Sequence, residues 1–456
     1  MLQFDLGLIE KCQNNAPRYT SYPTADKFSL DYPISNHYVQ LKNNLEPNKP
    51  ISIYIHIPFC NTLCLYCACN KIITNDRSNI AKYLIYLEKE IKLYVALLNY
   101  KPKVIQLHFG GGSPSWMSNN EVTEIMKIIN KYFDLSSAHE VSMEIDPRHT
   151  SQDFIFNLAK NGFNRISIGL QDLDPKVQKA VNRIQSLEDS QKVLVAARKC
   201  GFRSTNVDLI YGLPFQTLLG FENTIDEIIK LNPDRIALFN YAHLPNIFMP
   251  QSRICDADIP SPQVKLATLS MSVTKLTDAG YIFIGMDHFA RPDDELAISY
   301  KNGTMQRNFQ GYSTFADTNM LSFGVSSIGF LGSSYYQNVK DLDSYYHHLD
   351  NNHLPIMRGI MLDNDDILRK YIITEIMCQF KLDYEQIANK FNLDFYQNFS
   401  RELNDLRALA DLGLINLHAN GFTVSDTGRF LIRNIAVVFD KYYRQNQDKK
   451  KFSKVI

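Results

Sequence analysis

Between residue 50 and about residue 290, short apolar or β-branched runs alternate with amphipathic stretches. "ISIYIHI" (51–57), "KVIQLHF" (103–109), "EVSMEI" (140–145), "RISIGL" (165–170), "STNVDLI" (204–210) and "RIALFNY" (235–241) have the length and composition of strands. Segments such as "NIAKYLIYLEKEIKLYVALL" (79–98) and "NEVTEIMKIINKYF" (120–133) repeat apolar residues at helical spacing. Strands separated by helices predict βαβ units on a parallel sheet, and hence an α/β fold. A run of six such units favours a partial (β/α)6 barrel over an open doubly wound sheet. In a barrel, chemistry collects at the C-terminal strand ends. The polar punctuation falls there: a cysteine cluster follows the first run and "GGGSP" the second, while "EIDP", Gln171-Asp172 and "YGLP" end the next three.

The pattern changes on either side of this region. A longer, less regular stretch holds "GMDHFARPDDELA" (285–297) and "RNFQGYST" (307–314). From about residue 363, "DDILRKYIITEIMCQF", "DYEQIANKF" and "YQNFSRELNDLRALADLGLI" read as three helices, followed by a strand–turn–strand and a last helix. The expected organisation is an N-terminal arm (1–48), a partial barrel (49–290), a barrel extension and connection (291–362), and a mostly helical, winged-helix-like C-terminal domain (363–456). A DNA-reading winged helix needs a basic recognition helix. Here the third helix mixes Arg401 and Arg407 with Glu402, Asp405 and Asp411, which favours a structural role. The basic tail "RQNQDKKKFSKVI" reads as a solvated end.

Charge alters this picture little. The 48 basic residues balance 48 acidic ones, so no global field draws the chain to nucleic acid or an acidic membrane. "MLQFDLGLIEKC" lacks the basic and apolar regions of a signal peptide. No stretch approaches the ~18 consecutive apolar residues of a membrane span. A soluble, cytoplasmic protein is expected, and without heptads or exposed apolar repeats, a monomer.

The cysteines change the picture more. Four of the eight, Cys60, Cys64, Cys67 and Cys69, fall within "CNTLCLYCAC". In a reducing compartment such a cluster points to metal or catalysis rather than disulfides. Cys12, Cys200, Cys255 and Cys378 stand alone and are expected to be small buried apolar residues. Structural zinc would need two ligand pairs, and no second pair follows at suitable spacing. A redox pair at Cys64 and Cys67 would leave Cys60 unexplained. Three thiolates on one loop can hold an iron–sulfur cluster while leaving one iron open to a ligand. Cys69, one residue beyond Cys67, would point elsewhere on an extended backbone.

This C-x3-C-x2-C loop after a first barrel strand resembles the radical S-adenosylmethionine superfamily. The resemblance narrows to the oxygen-independent (anaerobic) coproporphyrinogen-III oxidase family over nearly the whole chain. It rests on "PRYTSYPTA" (17–25), "YIHIPFC" (54–60), the C-x-C-N-K of residues 67–71, "HFGGGSP" (108–114), "EIDPR" (144–148), "GFNRISIGLQD" (162–172), "VQKAVNR" (177–183), "STNVDLIYGLP" (204–214), "FNYAHLP" (239–245), "GMDHFARPDDELA", "RNFQGYST" and the terminal "FSKVI". Tyr66 and Ala68 depart from the Phe and Gly common in the family. Tyr keeps a flat aromatic surface, and Ala adds one methyl.

The resemblance implies a [4Fe–4S] cluster on Cys60, Cys64 and Cys67, whose open iron chelates S-adenosylmethionine. Reductive cleavage then gives a 5′-deoxyadenosyl radical. It further implies that Gly110, Gly111, Gly112, Ser113, Tyr54, Glu144 and Ile328 contact this cofactor. Gln171, Arg183, Asp208, Ala242 and Tyr66 would contact a second S-adenosylmethionine. Without the family, an ordinary ion pair between Arg183 and Asp208 would be preferred. The implied reaction turns two propionates of coproporphyrinogen III into vinyl groups, giving protoporphyrinogen IX in haem biosynthesis. Because a propionate β-C–H is not acidic, general-base catalysis is ineffective, and His56, His108, His149, His243 and His288 are not promoted to bases. Propionates call for arginines. Arg18 and Tyr19, with Tyr22, lie on the arm, which is expected to fold over the site, and Arg307 is a further candidate. Implied partners are a low-potential donor such as flavodoxin or ferredoxin and an unidentified electron acceptor, without nucleic acid. A related haem chaperone is expected to lack both the fourth cysteine and the arm. A haem-modifying methyltransferase would not share the C-terminal motifs. A zinc-stabilised regulator lacks ligands.

Overall fold

The computed structural model describes residues 5–12, 15–309, 311–315 and 318–445. The final "FSKVI" and most of the basic tail lie outside these residues. Contacts divide the chain into two compact units. A barrel unit comprises Phe28–Ser261 and Asp317–Met361, and a composite unit comprises the described residues of Met1–Lys27, Pro262–Ala316 and Leu362–Ile456.

In the barrel unit six parallel strands lie side by side in chain order: β1 (Ile51–Ile57), β2 (Val104–Gly111), β3 (Glu140–Ile145), β4 (Arg165–Gln171), β5 (Ser204–Tyr211) and β6 (Arg235–Asn240). This is the expected parallel core of a partial (β/α)6 barrel. β1 and β3 have the expected limits, whereas β2 runs on to Gly111. On the other side of β1, β7 (Met320–Phe323) pairs in parallel, and β8 (Ile328–Leu331), β9 (Ser334–Asn338) and β10 (Ile356–Met361) continue antiparallel. Sequence periodicity misses this extension because β7 and β9 are buried at every position and so show no alternation.

Helices cover the sheet through apolar stripes. In α1 (Ser78–Val95), Ile80, Tyr83, Leu84, Leu87, Ile91 and Tyr94 recur at helical spacing and are buried, and Glu90 lies among them. α2 (Asn119–Tyr132) opens with a reciprocal capping box between Ser118 and Glu121 and buries Val122, Ile125, Met126 and Ile129. After β4, α3 (Pro175–Ala180) supplies Val177. A cluster of Leu65, Val177, Val181, Leu213, Tyr241 and Ile254 packs there, with Leu63 and Tyr66 against it. The alternation of Leu63 and Leu65 with cysteines therefore fastens one side of the loop to the barrel. Burying Leu65 contributes about 2 kcal/mol, and the partly buried Leu63 less.

In the composite unit, the third expected helix is two, Phe395–Asn398 and Ser400–Asp411, and an extra strand, Lys381–Asp383, pairs with Gly421–Val424 beside Ile415–His418. The expected last helix is a series of short helical turns. The N-terminal arm is packed: Ala16, Tyr19 and Tyr22 are buried, and the Arg433 guanidinium donates to the carbonyls of Ala16 and Pro17. Of the isolated cysteines, Cys12 and Cys378 are buried as expected, but Cys200 is partly buried and Cys255 exposed. Among the described residues no helix is long and apolar enough to cross a membrane.

Candidate active site

The cysteine loop leaves β1 through Phe59–Cys60, which pairs with Ile72–Ile73 and closes the loop at its base. Three hydrogen bonds hold its middle: Leu65 N–H donates to Val181 O (3.0 Å), Asn182 Nδ2 to Leu63 O (2.8 Å), and Gln251 Nε2 to Tyr66 O (3.1 Å). Cys64 is buried, Cys60 and Cys67 are partly buried, and Cys69 is exposed. The turn that brings Cys67 N–H within 3.2 Å of Cys64 O is not extended. Cys69 consequently does not point away from Cys67, as an extended backbone would require; their thiols share a hydrogen bond. That bond, with nearby Lys71, pushes Cys67 down to about 6 against its burial. Burial first, then Cys67 and Cys64, push Cys60 up to about 12. Lys71 Nζ also donates to the carbonyls of Cys67 (3.0 Å) and Cys69 (3.3 Å).

Two guanidiniums face Cys64, Arg183 at 3.5 Å and Arg148 at 3.9 Å from its sulfur. Asp146 ties them together, at 2.6 Å from Arg148 and 3.4 Å from Arg183. Burial opposes its ionisation, but the Arg148 hydrogen bond and both guanidinium charges hold Asp146 down to about 2. The cysteine spacing does not single out Asp146 and Arg148; their signal is "DPR" directly after the strand end at Ile145.

Beside this loop, the ends of β1, β2 and β3 assemble a second group. Tyr54 stacks on His108 with centroids 6.0 Å apart, and its hydroxyl lies 3.1 Å from His56 Nδ1. The Asn70 carbonyl, 3.0 Å from His56 Nε2, can only accept, so Nε2 carries the proton and Nδ1 accepts from Tyr54. Burial keeps His56 below its usual pKa and therefore neutral. Glu144 accepts from Gly111 N–H at 3.2 Å and lies 3.6 Å from His108. Gly112 N–H donates to Ile57 O and Ser113 N–H to Phe59 O, so the "GGGS" backbone is sewn to the strand that carries the cysteines. Gly111 has φ +118°, and a Cβ on Gly112 would lie 2.6 Å from Pro58 O. Ile328 joins this group through β7: Tyr54 is paired with Ser322, whose hydroxyl donates to Ile328 O at 2.6 Å.

A third group surrounds a register shift between β4 and β5. Gln171 adopts φ +70°, and Arg183 donates to Gly169 O at 2.5 Å. Gln171 Oε1 and Arg183 Nε are buried and carry no hydrogen bond. Asp208 accepts from Ser167 (2.9 Å) and Asn206 (2.7 Å), and burial raises it to about 6. The ion pair preferred without the family does not form, since Arg183 pairs with Asp146 instead. Ala242 lies just past the end of β6 and is partly buried. Arg18 and Tyr19 belong to the composite unit, where Arg18 pairs with Asp287 and Tyr19 donates to Asp440 at 3.0 Å.

These residues suit an iron–sulfur cluster with an amino-acid-bearing nucleoside. Among the described residues no three Cys, His, Asp or Glu converge where a single ion could sit. A cluster instead spreads its thiolates over separate irons. Backbone against the Gly-rich stretch, the Glu144 carboxylate and the orphaned polar atoms of Gln171 and Arg183 are groups that a polar cofactor can satisfy.

Comparison with known proteins agrees. A family profile described as "Radical SAM superfamily" matches residues 54–228, and one described as "HemN C-terminal domain" matches residues 362–431. "Oxygen-independent coproporphyrinogen III oxidase" of Escherichia coli is 45% identical over 455 residues, covering 100% of this chain and 99% of the relative. The protein of that name from Pseudomonas aeruginosa is 44% identical over 457 residues, again covering 100% and 99%. A solved structure, described as "Coproporphyrinogen III oxidase (HemN) from Escherichia coli is a Radical SAM enzyme", superposes with a TM-score of 0.92 at 44% identity, over 97% of this chain and 99% of that one. With both profiles in place and end-to-end identity well above the level at which families diverge, the chain belongs to the oxygen-independent coproporphyrinogen III oxidase family.

Proposed function

We propose that the protein oxidatively decarboxylates two propionate side chains of coproporphyrinogen III without oxygen, giving the vinyl groups of protoporphyrinogen IX in haem biosynthesis. The observation that carries this reading is 45% identity along 100% of the chain to a relative of that activity. Each vinyl group formed releases one CO2, one hydrogen atom and one electron. When bound, a [4Fe–4S] cluster and S-adenosylmethionine supply the low-potential electron and the carbon radical that such a reaction requires.

The chain's own residues bind, orient and shield. Cys60, Cys64 and Cys67 hold the cluster. Arg183 and Arg148 set two guanidiniums against the Cys64 sulfur and orient it. Gly110, Gly111, Gly112 and Ser113 present backbone to the cofactor without a blocking side chain. Glu144 accepts hydrogen bonds from it, and Tyr54 and Ile328 flank it. Gln171, Arg183, Asp208, Ala242 and Tyr66 receive a second S-adenosylmethionine, for which the unpartnered atoms of Gln171 and Arg183 are support. Arg18 and Tyr19 serve the substrate. The domains run 1–48, 49–290, 291–362 and 363–456. A flavodoxin or ferredoxin supplies electrons to a cytoplasmic monomer.

Anaerobic protein with reconstituted cluster, given dithionite, S-adenosylmethionine and coproporphyrinogen III, is expected to yield divinyl product and 5′-deoxyadenosine at about two per product. Mass spectrometry reads both. Deoxyadenosine without vinyl product would keep the radical chemistry and reject the substrate.

A further inference from the structure

After β6 the barrel unit makes an excursion, residues 241–256, that returns to its own base. At the neck, Tyr241 and His243 on the outgoing side meet Asp256 on the returning side. Asp256 accepts from His243 Nε2 at 2.9 Å, and Nδ1 of the same ring lies 2.9 Å from the Tyr241 hydroxyl. Tyr241 and Ile254 belong to the apolar cluster that holds Leu65, and Tyr66 packs against that cluster. The excursion is therefore built onto the cysteine loop, although Ile247 and Met249 at its tip are exposed.

Gln251 fills the inside of this excursion. It is 1% exposed, on the short helical turn Met249–Arg253. Its backbone N–H donates to Phe248 O, and its carbonyl accepts from Ile254 N–H. The side-chain amide faces both ways: Oε1 accepts from Leu244 N–H at 2.6 Å, and Nε2 donates to Tyr66 O at 3.1 Å. A glutamine that only closed its own turn would need the first of these bonds. The second leaves the excursion and reaches the main chain of the cysteine loop between Cys64 and Cys67. One buried amide thus joins Tyr66 to the segment that begins at Ala242. With both ends engaged it sets the separation of the two chains, because a buried donor or acceptor left unpaired is costly.

We infer that Gln251 is a positioning residue for the second S-adenosylmethionine, holding Tyr66 and Ala242 at the spacing that this molecule fills. This rests on the reading of a second cofactor molecule given above. The molecule at the iron is indifferent to Gln251, because the backbone assigned to it is fastened elsewhere: Gly111 to Glu144, Gly112 to Ile57 and Ser113 to Phe59. The cysteine loop likewise keeps its bonds from Leu65 to Val181 and from Asn182 to Leu63 when Gln251 is changed.

The test is anaerobic equilibrium dialysis of labelled S-adenosylmethionine against the full chain, its cluster reconstituted and left unreduced so that the cofactor binds without cleavage. Wild type is compared with Gln251→Met, which keeps the length and removes both hydrogen bonds, and with Gln251→Glu, which keeps only the acceptor for Leu244. Wild type should take up two molecules. Both variants should bind one molecule as wild type does and the other about tenfold more weakly, with iron content unchanged. The electron paramagnetic resonance signal of reduced protein, frozen on mixing with S-adenosylmethionine, should shift alike in all three, which identifies the unaffected molecule as the one at the iron. Two molecules bound by Gln251→Met with wild-type affinities overturn the role of Gln251 and leave the second site standing. Both affinities lost together, or iron lost, would mark a merely structural residue and overturn it as well. Wild type binding only one molecule rejects the second site and the inference with it, while divinyl product from that same protein would leave the proposed reaction standing. If neither variant folds, hydrogen exchange in wild type decides: the Leu244 amide should exchange more slowly once the second molecule binds, and an unchanged rate overturns the inference.

Discussion

At Gly111 the backbone turns with φ +118°, and a Cβ there would meet the His56 ring at 2.6 Å. An L side chain is strained at that φ whatever the space. His56 cannot easily retreat, because Asn70 O and Tyr54 hold both ring nitrogens. Gly111→Ala is therefore expected to cost about 2 kcal/mol and to weaken S-adenosylmethionine binding, since the His56–Tyr54 pair must move. Calorimetry on the anaerobic protein reads both; unchanged melting and affinity would sink the argument. The sequence flagged this glycine through "GGGSP". It did not say what crowds it, because His56 arrives from a neighbouring strand. Likewise, the motif named the three cysteines but not Arg148, 84 residues from Cys64 in the chain.

At the scale of elements, α1 carries a carboxylate on its apolar face. Glu90 accepts from Gly324 N–H (2.8 Å), Asn338 Nδ2 (2.7 Å) and Tyr345 (2.6 Å). Two turns earlier, Tyr83 donates to His56 O and accepts from Val325 N–H. One helix thus ties the turn before β8 to the strand that leads into the cysteine loop. Burial raises Glu90 to about 7, with its three donors opposing. Between the ordinary carboxylate value and 7, the folded state holds a proton that the unfolded chain has released. Stability then falls as pH rises through that window, by at most about 3 kcal/mol, and is flat above it. Relative to Glu90→Gln, wild type is expected to be more stable near pH 5 than near pH 8. Urea midpoints at the two pH values measure the gap, and an equal gap at both would contradict it. The helix was visible from its periodicity, whereas the meaning of a glutamate at a buried position depends on what faces it.

Across the whole molecule, the chain's two ends share one compact unit. Beyond the Arg433 contacts, Asn434 Nδ2 donates to Cys12 O at 2.6 Å, and Tyr22 accepts from Lys441 N–H at 3.2 Å. A polar terminal arm is usually dispensable to stability, but this one is part of a core. Deleting residues 1–24 leaves Arg433, Asn434 and Asp440 with buried groups unpaired, each costing about 1–3 kcal/mol. The truncated protein is expected to lose turnover and to melt lower, while the cysteine loop, fastened within the barrel unit, still takes up iron. Iron and sulfide analysis beside a melting curve tests this; normal turnover, or lost iron with unchanged melting, would refute it.

The strands of the barrel, their order and the loop with its cysteines were settled by the sequence alone, because burial and backbone preference act over a few neighbouring residues. Short patterns of apolar, β-branched and glycine positions record them directly. The strands β7 and β9 left no such pattern, being buried at every position. Only the tertiary structure decided which groups meet: Arg183 with Asp146 rather than Asp208, Cys69 with Cys67, and Arg307 with the ring of Tyr312. Those meetings depend on register and packing between segments far apart in the chain, where a side chain's partner is set by geometry that no local pattern encodes.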